Sequence, residues 1–319
     1  MRGGCVIDGV DIADFGMFIL RGGDNDFISY PERKMPYSND WYEYNGIDAD
    51  LTDVYFKEKT VSVKFHISAS TGTEYIANWA HFRSLITAPG YRSVYIREFQ
   101  KTFLLRYISC SDFNHKGGLV KSGKKSGDLT IEFSMDDPLQ FFVSPEILDP
   151  VVEFNNATHV SIGGRDLADY GIIVTECYSS ILAAAPAKEP LTRSFEHESG
   201  LLVYPPSVSN FDTKQITIAC AMRAGSIGNF WHNYEALFNA LTVKEELSVS
   251  TYAGSEKCFY SSMKNFNKRR PFRERVRVSF DLVLTVLETG DVAFVLASED
   301  GRLIMTEDSN NYIDMAYYG

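Results

Sequence analysis

Apolar and polar positions alternate with a period of two through residues 60–67 (TVSVKFHI). This is the pattern of a strand with one buried face. Residues 215–222 (QITIACAM) repeat it, with Ile216 and Ile218 standing for Val61 and Val63. Each strand is followed by a helical period. Residues 75–86 put Trp79, Phe82, Leu85 and Ile86 on one face, and residues 230–241 do the same with Trp231, Tyr234, Leu237 and Phe238. Thr71 or Thr73 is positioned to cap the first helix, and Pro89-Gly90 to end it. Two more strands are expected after each helix, at 91–96 and 102–113 and at 247–252 and 257–266. A long closing strand follows, at 128–135 and at 275–285.

This parallel order coincides with a local identity. Residues 7–17 (IDGVDIADFGM) and 162–172 (IGGRDLADYGI) agree at six of eleven positions at an offset of 155. The alternating strands match at 155, the tryptophans of the two helices at 152, and Phe113-Asn114 with Phe266-Asn267 at 153. A drifting offset is what loop-length changes between two copies of one unit produce. The expected organisation is a first domain over 1–148, a second over 149–290 and a C-terminal extension over 291–319. Asp149-Pro150 and Asn155-Asn156 mark the junction. Each unit is mainly β (α+β) with one packed helix. The extension has turn signals at residues 298–301 and 306–309 and reads as a β meander too small for its own core.

Composition agrees with a packed chain. Of 319 residues, 45% are apolar and 13% aromatic, which excludes a disordered or low-complexity protein and fits a β-rich one. The net charge of −11 argues against holding nucleic acid by phosphate neutralisation. No stretch is apolar enough for a membrane-spanning helix, and residues 1–10 lack the pattern of a secretory signal, so manufacture in a cytoplasm is expected.

Candidate chemistry is sparse. Five cysteines (Cys5, Cys110, Cys177, Cys220, Cys258) form no CxxC or CxxH pair, so neither a disulfide framework nor a zinc site is indicated. Residues 118–124 spell GxxxxGK. Lys125 follows where Ser or Thr would hold magnesium, and the next residues alternate like a strand, so a mobile basic hairpin at 114–127 is the better reading. Lys264, Lys268, Arg269, Arg270, Arg273, Arg275 and Arg277 make a second basic cluster on the corresponding hairpin. It reads as solvated turn charge, or as a contact for an acidic neighbouring subunit. Six histidines show no ligand spacing, and Glu196-His197-Glu198 points its side chains alternately. The recurring pairs Asp11/Asp14 and Asp166/Asp169 read as turn caps beside Gly16 and Gly171. No nucleophile-and-base set is present. No catalytic, cofactor-binding or metal-binding residue is assigned, and an enzyme is not expected.

The spacing I-x-G-x-D-(I/L)-A-D-(F/Y)-G near the start of both halves resembles the tail-tube-like domain of phage distal tail proteins. The long irregular stretch, alternating strand, single helix and hairpin that follow fit that resemblance, as does Asn45-Gly46-Ile47-Asp48. The resemblance implies two tandem β-sandwich or barrel domains and a structural virion component at the phage tail tip. Such a component joins the tail tube to the tip or baseplate as a homo-oligomeric ring around the DNA channel. Implied partners are the chain itself, the tail tube, the tape-measure protein and the tip or hub proteins. DNA passes through the lumen without specific binding, and there is no membrane insertion. Six chains per ring are preferred, with a pseudo-sixfold trimer as the alternative. The segment 22–53 and the C-terminal meander are natural arms for neighbouring subunits. The competing function is a carbohydrate- or receptor-binding module, for which Trp41 in Asn39-Asp40-Trp41-Tyr42-Glu43-Tyr44 is the free aromatic.

Overall fold

A computed structural model describes residues 4–118, 122–140, 142, 148–154, 157–190, 192–197, 199–203, 210–269, 272 and 275–289. The C-terminal meander and Asn155-Asn156 lie outside the described residues.

The chain is built on two seven-stranded antiparallel sheets. The first uses β1 (Cys5–Ile7), β2 (Val10–Asp11), β3 (Met17–Ile19), β6 (Lys59–Ala69), β7 (Arg92–Ile96), β8 (Lys101–Lys116) and β9 (Lys125–Met135), in the order β2-β1-β7-β8-β9-β6-β3. A small hairpin of β4 (Ser38–Asn39) and β5 (Asp48–Ala49) stands apart from it. The second sheet uses β10 (Ser161–Ile162), β11 (Arg165–Asp166), β12 (Ile172–Glu176), β15 (Gln215–Ala224), β16 (Leu247–Thr251), β17 (Gly254–Lys268) and β18 (Val276–Val286). Its order is β11-β10-β16-β17-β18-β15-β12, with a separate hairpin of β13 (Thr192–Arg193) and β14 (Leu202–Val203). The order is the same in both. Among the described residues no backbone pairing joins the two edge strands of either ladder.

Helices α1 (Gly72–Ile86) and α3 (Ile227–Leu241) each cover one sheet face, and a single turn, α2 (Tyr178–Ile181), follows β12. The Thr71 hydroxyl accepts from the Glu74 amide, and the Ser226 hydroxyl from the Asn229 amide, so both long helices start three residues earlier than the apolar period suggests.

The helices correspond at 155, since Gly72 to Ile227 and Ile86 to Leu241 are both 155 apart. That corrects the tryptophan match at 152. Trp79 occupies the place of Tyr234, and Ile76 that of Trp231. The capping hydroxyls, not the largest side chains, fix the helix register. Backbone pairing shows where the offset shifts. Ile7 pairs with Val94 and Ile162 with Val249; Ala69 pairs with Lys125 and Ala224 with Val276. The β7–β8 turn is two residues longer than its counterpart. Each long hairpin also carries a β-bulge at a matching place, between Tyr107 and Ser109 and between Tyr260 and Ser262.

Asp11 and Asp166 cap short 3-10 turns by accepting from the Ala13 and Ala168 amides at 3.0 and 2.8 Å. The following Gly16 and Gly171 are left-handed, at φ 64° and 76°. A Cβ there would lie 2.2 Å from the Ser68 carbonyl and 2.4 Å from that of Arg223. Glycine is therefore required at both places by conformation and by space.

Candidate interaction surface

Residues 22–57, the irregular stretch between β3 and β6, do not reach outward. They cross onto the second half of the same chain, which corrects the expectation of an arm for neighbours. The Lys59 ammonium at the start of β6 donates to the carbonyls of Phe27 and Ser29, at 3.3 and 2.5 Å, and holds the near end of the arm. Burial pushes that ammonium down to about 7, with Asp26 opposing. The arm then runs over α3 and β17. Tyr30 donates to the Tyr234 carbonyl at 2.5 Å, Tyr234 to that of Ile28 at 2.6 Å, and Tyr260 to that of Pro31 at 3.0 Å. All three phenols are buried, and burial drives their ionisation far upward, so they serve as neutral donors. The ring of Tyr30 lies 4.3 Å from Tyr234 and 4.9 Å from Phe238. Further on, the Arg33 amide donates to the Ser261 carbonyl at 2.9 Å, and its guanidinium sits over Phe259. The far end passes to the other sheet face, where Leu51 packs with Phe259 and Leu287. The last five residues of β18, Leu282–Val286, are consequently all buried instead of alternating.

An ion cluster closes the same junction. Lys268 contacts Asp24 at 2.7 Å and Glu98 at 2.9 Å, and lies 4.7 Å above the ring of Phe99. Its side chain is 6% exposed and that of Asp24 4%. Desolvation raises the Asp24 carboxyl, and Lys268 opposes the shift. Phe99, in the longer β7–β8 turn, packs on Phe272 and accepts the Trp231 indole proton at its carbonyl. Lys268 therefore leaves the group of solvated turn charges: the extra turn residues bring it a carboxylate from the other half.

The irregular stretch of the second half, residues 177–213, has the local construction of the first. Ser38 pairs with Ala49 and Thr192 with Val203, an offset of 154 at both ends. A bridge joins Arg33 to Phe56, and another joins Ala187 to Phe211. The Lys214 ammonium donates to the carbonyls of Ile181 and Ala183, as Lys59 does to those of Phe27 and Ser29. The surroundings differ. Ile28 is fully buried, whereas Leu182 in its place is 65% exposed. Leu201, Leu202 and Val203 on the second hairpin are exposed as well.

The other sequence candidates are scattered. Lys125 folds back onto the Gly118 and Ser122 carbonyls, and β9 begins at that residue where a phosphate loop requires a helix. β8 extends to Lys116, so the hairpin loop is shorter than 114–127. His197 sits in an exposed loop, and His232 contacts the Asp149 carbonyl. The cysteines are free, and burial raises the Cys258 thiol to about 12, beyond reactive range. Among the described residues no three His, Cys, Asp or Glu side chains gather as metal ligands, and no helix is long and apolar enough to cross a membrane.

No family model matches the chain, and no curated protein does. Among solved structures it is similar to the Dit protein of phage SPP1, described as a paradigm of the hub adsorption apparatus of phages infecting Gram-positive bacteria. The identity is 11% and the TM-score 0.33, over 89% of this chain and 98% of that one. At that TM-score the likeness carries no argument.

The tyrosines of the crossing escape a sequence reading that treats 22–53 as a free arm. A signal was present: Phe56 and Phe211, and Lys59 and Lys214, stand 155 apart. Trp41 and Tyr44, both exposed, line a groove of about 610 Å³ with Asn45, Glu246 and Glu288.

Proposed function

We propose that the chain is a non-enzymatic structural component of a phage tail, acting as a distal-tail or hub-type ring that joins the tube to the tip and surrounds the DNA channel. The observation that carries this reading is the crossing itself. Two halves with one strand order meet through different surfaces, an arm of one and the helix-and-sheet face of the other. A contact of that heterologous kind, repeated by rotation, closes a ring. The motif shared by residues 7–17 and 162–172 supplies the tail setting. Because the crossing sets like halves side by side, three chains presenting six halves now stand ahead of six chains.

Tailed particles from the source culture, treated with gold-conjugated antibody against the chain, are expected to carry label at the distal end of the tail. Label confined to the medium or to cell lysate would remove the reading. A second function, binding of carbohydrate, is favoured only by the groove beside Trp41 and Tyr44. A glycan array with no signal removes that one.

A further inference from the structure

We infer that the arm of the second half, residues 177–213, docks on the first half of another copy of this chain, as the arm of the first half docks on the second half within the chain. The inference deepens the ring reading by naming its contact surface. It stands on corresponding positions in the two halves.

The receiving face of the second half is made by Tyr234 and Phe238 on α3 and by Tyr260 and Met263 on β17, all buried beneath the first arm. On the first half the corresponding face is partly exposed among the described residues, with Arg83 in the place of Phe238. Trp79 stands in the place of Tyr234 and is only half-buried, and Tyr107 stands in that of Tyr260. Around them Ile76, Ile108 and Phe113 are exposed, Ile76 by 64%. An apolar surface of this kind on a β-rich chain marks a contact site.

As Lys59 and the Arg33–Phe56 bridge hold the described ends of the first arm, Lys214 and the Ala187–Phe211 bridge hold those of the second. The side chains that point away from its own half are Leu182, Leu202 and Val203, where the docked arm has Ile28, Asp48 and Ala49. The shorter β16–β17 turn adds Tyr252, 75% exposed, with its ring 4.4 Å from that of Tyr178. One glycine pair records the difference between filled and unfilled. Gly46 and Gly200 occupy the same place in their hairpins, both with positive φ. A Cβ on Gly46 would lie 1.9 Å from the Leu287 carbonyl, whereas one on Gly200 would meet none of the described residues within 4 Å. The turn has room for a close backbone approach that the described residues of the single chain do not supply.

A second copy satisfies both surfaces at once: near its ends the second arm touches its own chain, through Lys188 with Asp40 and Phe211 with Asn45, and beyond them it offers the exposed Leu182, Leu202 and Val203 to the exposed face around Ile76 and Ile108. Chains joined this way run head to tail and close when the rotation returns to the first.

The test separates the two surfaces with substitutions at exposed positions, which leave the fold in place by circular dichroism. I76E with I108E disables the face; L182E with L202E disables the arm. By mass photometry and sedimentation, the wild type at tens of micromolar is expected to assemble beyond one chain, and each variant alone to run at the single-chain mass of 35.9 kDa. Mixing the two variants is expected to restore a two-chain species and nothing larger, since one intact arm meets one intact face. Variants that assemble like the wild type would overturn this surface and leave the tail-ring reading standing. A wild type that stays single at that concentration would also overturn it, while the gold-labelling experiment tests the tail reading separately. A mixture that stays single would overturn the pairing of arm with face.

Discussion

Residues 22–57 and residues 177–213 carry the same parts in the same order: a short turn of helix, a lysine-held elbow, a one-residue bridge and a two-stranded hairpin. In the first, Ile28, Tyr30 and Leu51 are buried against the second half; the second meets the first half near its ends, where Lys188 contacts Asp40 and Phe211 contacts Asn45 and Gly46, and it leaves Leu182, Leu201, Leu202 and Val203 exposed. The local shape of an arm is therefore set by its own half, through the ammonium on two carbonyls and the strand pairing. Its burial is set by whatever it lies on. The tyrosines and the ion cluster belong to the second requirement. Where the first arm is covered they are Tyr30, Tyr234, Tyr260 and Lys268; the corresponding places hold Ala184, Trp79, Tyr107 and His115.

The comparison breaks most visibly at Lys268. Replacing it with Met leaves Asp24 and Glu98 facing each other in a buried junction, and a cost of about 3–5 kcal/mol is expected by urea denaturation. His115 holds the corresponding place on β8 and is exposed, so H115M is expected to stay within about 0.5 kcal/mol of the wild type. Equal losses would erase the distinction between the two faces.

The glycine pair sharpens it next. In the single chain, G200A carries only the strain of a positive φ, about 1–2 kcal/mol. G46A adds a clash with the Leu287 backbone and is expected to lower Tm clearly further. In an assembled oligomer the two losses are expected to converge.

Hydrogen exchange compares the hairpins directly. Amides of 38–49 are expected to exchange more slowly than those of 192–203 at single-chain concentrations.

The smallest effect concerns pH. Lys59 binds its proton with a value near 7 in the folded chain against an ordinary 10.5. Below pH 7 both states are protonated and the burial penalty is constant. Between about 7 and 10.5 the unfolded chain holds more protons, so this group makes stability rise with pH. Urea midpoints of K59M at pH 7 and pH 9 are expected to show a smaller rise than those of the wild type.

Much of this architecture was legible in the residues. The period-two runs at Val61–Val63 and Ile216–Ile218 mark the central strands, and the ADFG and ADYG turns mark the start of each sheet, because those patterns answer to local rules. The helix register was misread through Trp79 and Trp231 because a large aromatic is recognisable in sequence but need not occupy equivalent sites. Trp231 serves the contact with Phe99, a demand that falls on one half only. The crossing arm was not legible for the same reason. Nothing local to Tyr30 says that its ring will meet Tyr234, about two hundred residues away.

The arm's position early in the chain has a temporal consequence. Residues 22–57 are made well before α3, β17 and β18 exist, and roughly 230 residues separate the end of the arm from the end of β18. At about 5–20 residues per second the ribosome leaves the arm without its seat for about 10–50 s. During that interval the finished second half of a chain ahead on the same message offers an identical seat. Translation order thus makes exchange of arms between sister chains a competitor of correct closure, and dense polysomes favour it.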